Sequence, residues 1–263
     1  MNHKPTTALI TGASSGIGLE LAKIFAREKN NLVIVARSED KLRELASVIQ
    51  QQYAVQVFVL AKDLGNYNAA KEIFDYCTQN NIQIDYLVNN AGFGDFGFFV
   101  ESNWQKQEQM INVNIMTLTY LTRLFLPDMV KRSSGRILNL ASTAAFQPGP
   151  TMSVYYATKA YVLSFTEAIS NELAGTGVTA TALCPGATES GFKEASALEG
   201  SRLVTNKKLP ASKEVAEFGY KAMMKGKVVV IHGFLNSMMA MSVRFTPRFL
   251  VRKIVRYLQD PVA

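Results

Sequence analysis

Tyr155 and Lys159 stand four residues apart in the stretch SVYYATKA, Ser153 to Ala160. If that stretch opens a helix, positions i and i+4 share one face, so a phenol and an ammonium lie side by side. A phenol with a pKa near 10 is a poor proton exchanger at neutral pH. A cation about 4 Å away, at an effective dielectric of about 20, stabilises its anion by about 4 kcal/mol, or about three pKa units. The spacing therefore predicts a tyrosine able to trade a proton with a reacting oxygen near working pH. The same spacing also occurs in helices without chemistry, so the pair gains meaning only if other segments build a site around it.

Those segments are legible as alternating elements. Seven apolar, β-branched runs recur: TTALIT, LVIVA, VQVFVL, IDYLVN, GRILNLAS, GVTATALC and KVVVI. Amphipathic stretches lie between them, the pattern of a parallel sheet covered by helices on both faces. The expectation is a doubly wound α/β fold with a seven-stranded parallel sheet in a single domain. Residues 1–233 would form the dinucleotide-binding and catalytic part. Residues 234–263 would be a basic amphipathic extension of the same domain or a cover over its cleft.

Several further residues fall where such a sheet gathers ligands, at the carboxyl ends of its strands. The first strand runs into TGASSGIG, in which Gly12, Gly16 and Gly18 allow a sharp turn and close backbone approach. A helix N-terminus there offers free N–H groups to a pyrophosphate. The second strand ends in Ala36, Arg37 and Ser38 where an acid would accept bonds from an NAD ribose. A guanidinium instead pairs with a 2′-phosphate, so Arg37 favours NADP(H). Asp63 follows the third strand, and Asn89 to Gly92 follow the fourth. Asn89 reads equally as a structural turn residue or a ligand contact. The run Phe93 to Phe99 is either cleft wall or packing. Asn114 sits near the start of a long helix expected from about Asn112 to Lys131, and the fifth strand ends in Ala141 and Ser142.

Composition narrows the chemistry. The chain has 263 residues, 48% hydrophobic and 19% charged, which fits a globular protein with a large core. Cys77 and Cys184 lack CxxC spacing, and His3 and His232 are the only histidines, so neither a disulfide framework nor a zinc centre is expected, and no metal. The first strand begins too soon after Met1 for a secretory leader, and Val228 to Val243 is too short and interrupted to span a bilayer. A reducing cytoplasm fits these features.

The order and spacing of TGASSGIG, Asp63, NNAG, Asn114, Ser142, the pair Tyr155 and Lys159, and CPGAT at Cys184 to Thr188 resemble the short-chain dehydrogenase/reductase family over nearly the full length. The likeness extends to bacterial oxidoreductases of unassigned substrate. It implies a Rossmann-type fold and a catalytic tetrad of Asn114, Ser142, Tyr155 and Lys159. Tyr155 would be the acid in reduction and the base in oxidation. Ser142 would hold the substrate oxygen, Lys159 would lower the tyrosine pKa and bind the nicotinamide ribose, and Asn114 would fix a water leading to solvent. By the same resemblance Gly12, Ser14, Ser15, Gly16, Ile17 and Gly18 seat the pyrophosphate. Arg37 would select NADP, and Asp63 and Leu64 would meet the adenine. Asn90, Ala91 and Gly92 would line the cofactor, Pro185, Gly186 and Thr188 would approach the nicotinamide, and Glu189 to Pro210 would close over the substrate. A homodimer or homotetramer built on helix pairs is implied as well.

The net charge of +7 is concentrated late in the chain. Twelve Lys and Arg face only Glu214 and Glu217 between Arg202 and Arg256, a local excess of ten positive charges. No nucleic-acid module accompanies them. TPRFLVRKIVRYLQ reads as a helix with Thr246 as cap and Pro247 in its first position. Arg248, Arg252, Lys253 and Arg256 share one arc, and Leu250, Val251, Ile254, Val255 and Leu258 the opposite one. An extension over the substrate cleft or a subunit contact is the favoured reading, with a membrane-surface contact the less favoured.

The expectation from the whole sequence is an NADP(H)-dependent enzyme moving a hydride between nicotinamide and a small-molecule carbonyl or alcohol, mainly as a ketone or aldehyde reductase. Cellular NADPH is held mostly reduced, which favours that direction. The competing readings are a dinucleotide-responsive regulatory protein without turnover, against which the intact tetrad argues, and an NAD-dependent alcohol dehydrogenase.

Overall fold

In a computed structural model, described here for residues 5–189 and 209–260, seven strands form one parallel sheet in the order β3-β2-β1-β4-β5-β6-β7. The strands are β1 (Thr7–Thr11), β2 (Asn31–Ala36), β3 (Val57–Ala61), β4 (Tyr86–Asn89), β5 (Gly135–Leu140), β6 (Val178–Cys184) and β7 (Val229–Ile231). The expected doubly wound α/β fold is thus present. Its register is tight: Ile10 pairs with Ile34 on one side and Val88 on the other.

The uninterrupted apolar runs have a simple cause. Successive side chains of a strand point to opposite faces, and here both faces are covered. Ala8, Ile10, Leu32, Ile34, Val88 and Leu138 pack against α1 (Gly16–Arg27), α2 (Glu39–Tyr53) and α7 (Ser212–Met224). Leu9, Val33, Val35, Leu87, Ile137 and Ala180 pack against α3 (Ala69–Gln79), α5 (Leu118–Lys131) and α6 (Ser153–Glu172). Polar side chains inside this core bond mainly to one another. Asn89 donates to Thr122 Oγ1 at 3.1 Å and to Asn139 Oδ1 at 2.9 Å, and Asn139 donates to Thr166 Oγ1 at 2.9 Å. Asn89 is a structural link between strands and helices.

The winding reverses between β1 and β4, which are neighbours although β2 and β3 intervene in sequence. A crevice opens outside the carboxyl ends of strands at such a point.

Two local expectations change. The long helix expected from Asn112 begins earlier, with α4 (Trp104–Ile111), whose cap Asn103 accepts from the Lys106 N–H at 3.0 Å. It continues through a π-helical turn at Asn112–Thr117 into α5, so Asn114 lies in that turn and not at a helix start. At the C-terminus, α8 (Phe234–Ser242) precedes α9 (Arg248–Gln259). Thr246 does not cap α9: its hydroxyl donates to the Ser242 carbonyl at 2.9 Å, and Pro247 is the residue preceding the helix.

Candidate active site

The glycine turn between β1 and α1 is built for close approach. Gly12 and Gly16 have φ of +68° and +56°, in the left-handed region that favours glycine. Ser15 precedes α1 in an extended conformation, and its side chain makes no capping bond. The first-turn N–H groups of α1 thus keep their ordinary capacity to meet an anion. Asn90 locks the other wall: its Nδ2 donates to the Thr11 carbonyl at 2.9 Å and its N–H to Thr11 Oγ1 at 3.0 Å. The Ala91 N–H donates to the same hydroxyl at 3.0 Å. Thr11 therefore fixes the loop after β4 against the loop after β1, a role the sequence did not mark. Donors, glycine geometry and the crevice fit a dinucleotide pyrophosphate.

Arg37, directly after β2, is exposed and makes no ion pair among the described residues. Asp63 turns the chain after β3 by accepting from the Gly65 N–H at 2.9 Å. Leu64 has its side chain in the core, and its carbonyl accepts from Thr117 Oγ1 at 2.7 Å. Only its backbone can face an adenine.

Across the crevice the structure brings the four tetrad positions together. Ser142 follows β5; its Oγ accepts from the Ala144 N–H at 3.1 Å and donates to the Pro185 carbonyl at 3.4 Å, and the hydroxyl is close enough to Tyr155 to lower the phenol's pKa. Tyr155 and Lys159 lie one turn apart on α6, both buried, with Lys159 Nζ 5.8 Å from the centre of the tyrosine ring. Lys159 Nζ also donates to the Leu140 carbonyl at 2.6 Å. Asn114 is 1% exposed. Its Nδ2 donates to the Phe93 carbonyl and to Thr158 Oγ1, each at 3.0 Å, and its Oδ1 accepts from the Phe93 N–H at 3.2 Å. The π turn places this amide between α6 and the loop after β4. A Cβ on Gly92 would lie 3.0 Å from Asn114 Oδ1 and 3.3 Å from Lys159 Nζ, so glycine keeps the space beside both open.

The electrostatics differ from the simple charge argument. Burial pushes the Tyr155 phenol above its usual range, and the Ser142 hydrogen bond only partly opposes it. Burial also pulls the Lys159 ammonium down to about 8. Desolvation is the largest cause for both groups, so in this state Tyr155 is a protonated acid.

Further neighbours surround the site. Tyr156, beside Tyr155, is packing: its ring lies against Gly149 and its hydroxyl accepts from Gln259 Nε2 at 2.7 Å. Phe93 and Phe96 pack with Tyr155 and Tyr156, whereas Phe98 and Phe99 are exposed. Pro185 and Gly186 follow β6, and Gly186 is so close to Asn236 of α8 that a Cβ would meet its Nδ2 at 2.7 Å. Thr188 Oγ1 donates to the Gly186 carbonyl at 3.0 Å. Glu189 forms a parallel bridge with Ala211. The expected substrate-closing segment between them, 190–208, lies outside the described residues. Thr158 and Asn236 were missed in the sequence; a threonine between Tyr155 and Lys159 is the only local hint of the former.

Comparisons with known proteins agree with this geometry. The family described as short chain dehydrogenase matches residues 6–199. An uncharacterized oxidoreductase of Staphylococcus epidermidis is 35% identical over 191 residues, covering 73% of this chain and 81% of the relative. A very-long-chain 3-oxoacyl-CoA reductase of Anas platyrhynchos is 34% identical over 68% of this chain and 58% of its own length. Among solved structures, a short-chain dehydrogenase from Sphingobium yanoikuyae in complex with NADPH has a TM-score of 0.82 at 30% identity, covering 91% of this chain and 94% of that one. A short chain dehydrogenase/reductase from Burkholderia phymatum in complex with NAD has a TM-score of 0.81 at 25% identity, covering 100% and 99%.

Proposed function

Because the chain belongs to the short-chain dehydrogenase family, we propose that this oxidoreductase is an NADP(H)-dependent reductase of ketones or aldehydes, with Tyr155 as the proton donor. The observation that carries this reading is the buried Tyr155 with Ser142 near its phenol and Lys159 Nζ 5.8 Å from its ring, at the carboxyl end of β5. The bound nicotinamide supplies the hydride that a carbonyl carbon accepts. Everything else falls to the chain. Ser142 Oγ orients the carbonyl oxygen toward Tyr155 Oη, which holds the proton because burial keeps the phenol neutral. When the phenol gives up its proton, the Lys159 ammonium is the nearby cation that stabilises the phenolate. Asn114 holds the loop after β4 and Thr158 in place around them.

Gly12, Ser14, Ser15, Gly16, Ile17 and Gly18 would hold the pyrophosphate, and Asn90, Ala91 and Gly92 would line the nicotinamide side. Pro185, Gly186 and Thr188 would close it. The guanidinium of Arg37, exposed and without an ion pair among the described residues, supports NADP(H) over NAD(H), as does the NADPH-bound relative. The NAD-bound relative favours the second reading, an NAD-dependent enzyme on the same site. The very-long-chain 3-oxoacyl-CoA reductase supports a carbonyl substrate.

The test is loss of NADPH absorbance across a panel of ketones and aldehydes. Tyr155→Phe is expected to lower kcat by about 10²–10⁴-fold while NADPH binding, read by fluorescence titration, is kept. Wild-type turnover in that variant overturns the assignment.

A further inference from the structure

We propose that the C-terminal helix pair, α8 and α9, docks the protein on an anionic lipid bilayer surface. The inward faces of the two helices are already used. Ala240 of α8 is buried, and Val251, Val255 and Gln259 of α9 pack into the cluster that holds Tyr155 and Tyr156. The arc read from sequence as one apolar face is therefore split: Val251 and Val255 point inward, while Leu250 and Ile254 stay exposed.

The outward faces are apolar to a degree that a water-facing surface does not require. Phe234 is 78% exposed, Leu235 72%, Phe245 in the link between the helices 82%, and Ile254 53%. Large apolar side chains exposed along two consecutive helices and their link are what an interaction surface offers. Charge selects its partner. Arg244, Arg248, Arg252 and Lys253 lie in the same stretch, all exposed, and none makes an ion pair among the described residues. Arg256 is held by Asp260 and lies 4.7 Å from the centre of the Phe98 ring. Phe249 shares an open groove with Arg252, Lys253 and Arg256 against Pro150. Aromatic and aliphatic groups interleaved with cations suit the boundary between acyl chains and acidic headgroups.

A second copy of the chain fits less well, because a two-fold contact would set these unneutralised cations against their own copies. Insertion across a bilayer is also excluded for the described residues, where no helix is long and apolar enough to cross one. The docking is peripheral, and it does not depend on which carbonyl the enzyme reduces.

The test uses the full chain in vesicle flotation. Wild type is expected to float with vesicles of phosphatidylglycerol and phosphatidylcholine, to stay behind with phosphatidylcholine alone, and to be released by salt. The double variant Arg252→Glu, Lys253→Glu and the single variant Ile254→Ser are each expected to bind more than about tenfold less. Circular dichroism, the thermal midpoint and NADPH binding should stay unchanged in both. Failure of wild type to float with anionic vesicles overturns the proposal, as does flotation indifferent to the charge reversal. A dimer in light scattering that Ile254→Ser splits, without vesicle binding, assigns the face to self-association instead.

Discussion

At the scale of single residues, Lys159 is where the geometry says most. Its ammonium is buried and pulled down to about 8, from the 10.5 of an exposed lysine. Between those values the folded chain binds fewer protons than the unfolded one, so stability rises with pH across that window. The burial penalty is fully present below about pH 8 and gone above about pH 10.5. Relative to Lys159→Met, the ligand-free wild type should gain up to about 3 kcal/mol between pH 7 and pH 10.5, read from urea midpoints. Arg37 offers a second test. Arg37→Asp should weaken NADPH binding about a hundredfold, with little change for NADH, in paired fluorescence titrations; equal losses would remove the basis for a 2′-phosphate contact. The positions of Ser142, Tyr155 and Lys159 were legible because short spacings on known elements locate them. The sign of the Tyr155 shift was not, because burial is a property of the packed chain and not of the spacing between two residues.

At the scale of elements, the strands could be read because a sheet buried on both faces needs unbroken apolar runs. The π turn around Asn114 could not. It is held by bonds to Phe93 and Thr158, 21 and 44 residues away, and no local pattern encodes them. The glycine turn shows the opposite case, a local motif with a local reason. A Cβ on Gly18 would fall on the Gly12 carbonyl oxygen and the Asn90 amide. Gly18→Ala should therefore cost about 1–3 kcal/mol in urea unfolding and abolish NADPH binding together. Helix α9 is held by polar bonds as well as by Val251 and Val255: Gln259 donates to Tyr156 at 2.7 Å, and its Oε1 accepts from Thr151 Oγ1 at 3.0 Å. Gln259→Ala should destabilise by about 1–3 kcal/mol, measured the same way, and raise KM more than it lowers kcat, since Tyr156 borders the cleft and does no chemistry.

At the scale of the whole molecule, burial in the core protects both thiols. Cys77 lies on the buried face of α3 and Cys184 ends β6 beneath α6, and burial pushes each thiol up to about 12. An aromatic disulfide reagent should find no reactive thiol in the native protein and two after denaturation. Their release should track global unfolding and not local opening.

The bridge between Glu189 and Ala211 is reinforced by the Glu189 N–H to the Pro210 carbonyl at 3.0 Å and by Ser212 Oγ to the Glu189 carbonyl at 2.6 Å. It holds the residue after the β6 loop against the residue before α7. With the ends already joined, doubling the length of chain between them adds only about 0.6 kcal/mol of closure entropy. Chain of a different length can thus be inserted between those two points at little cost to the sheet, an outcome that urea midpoints would read.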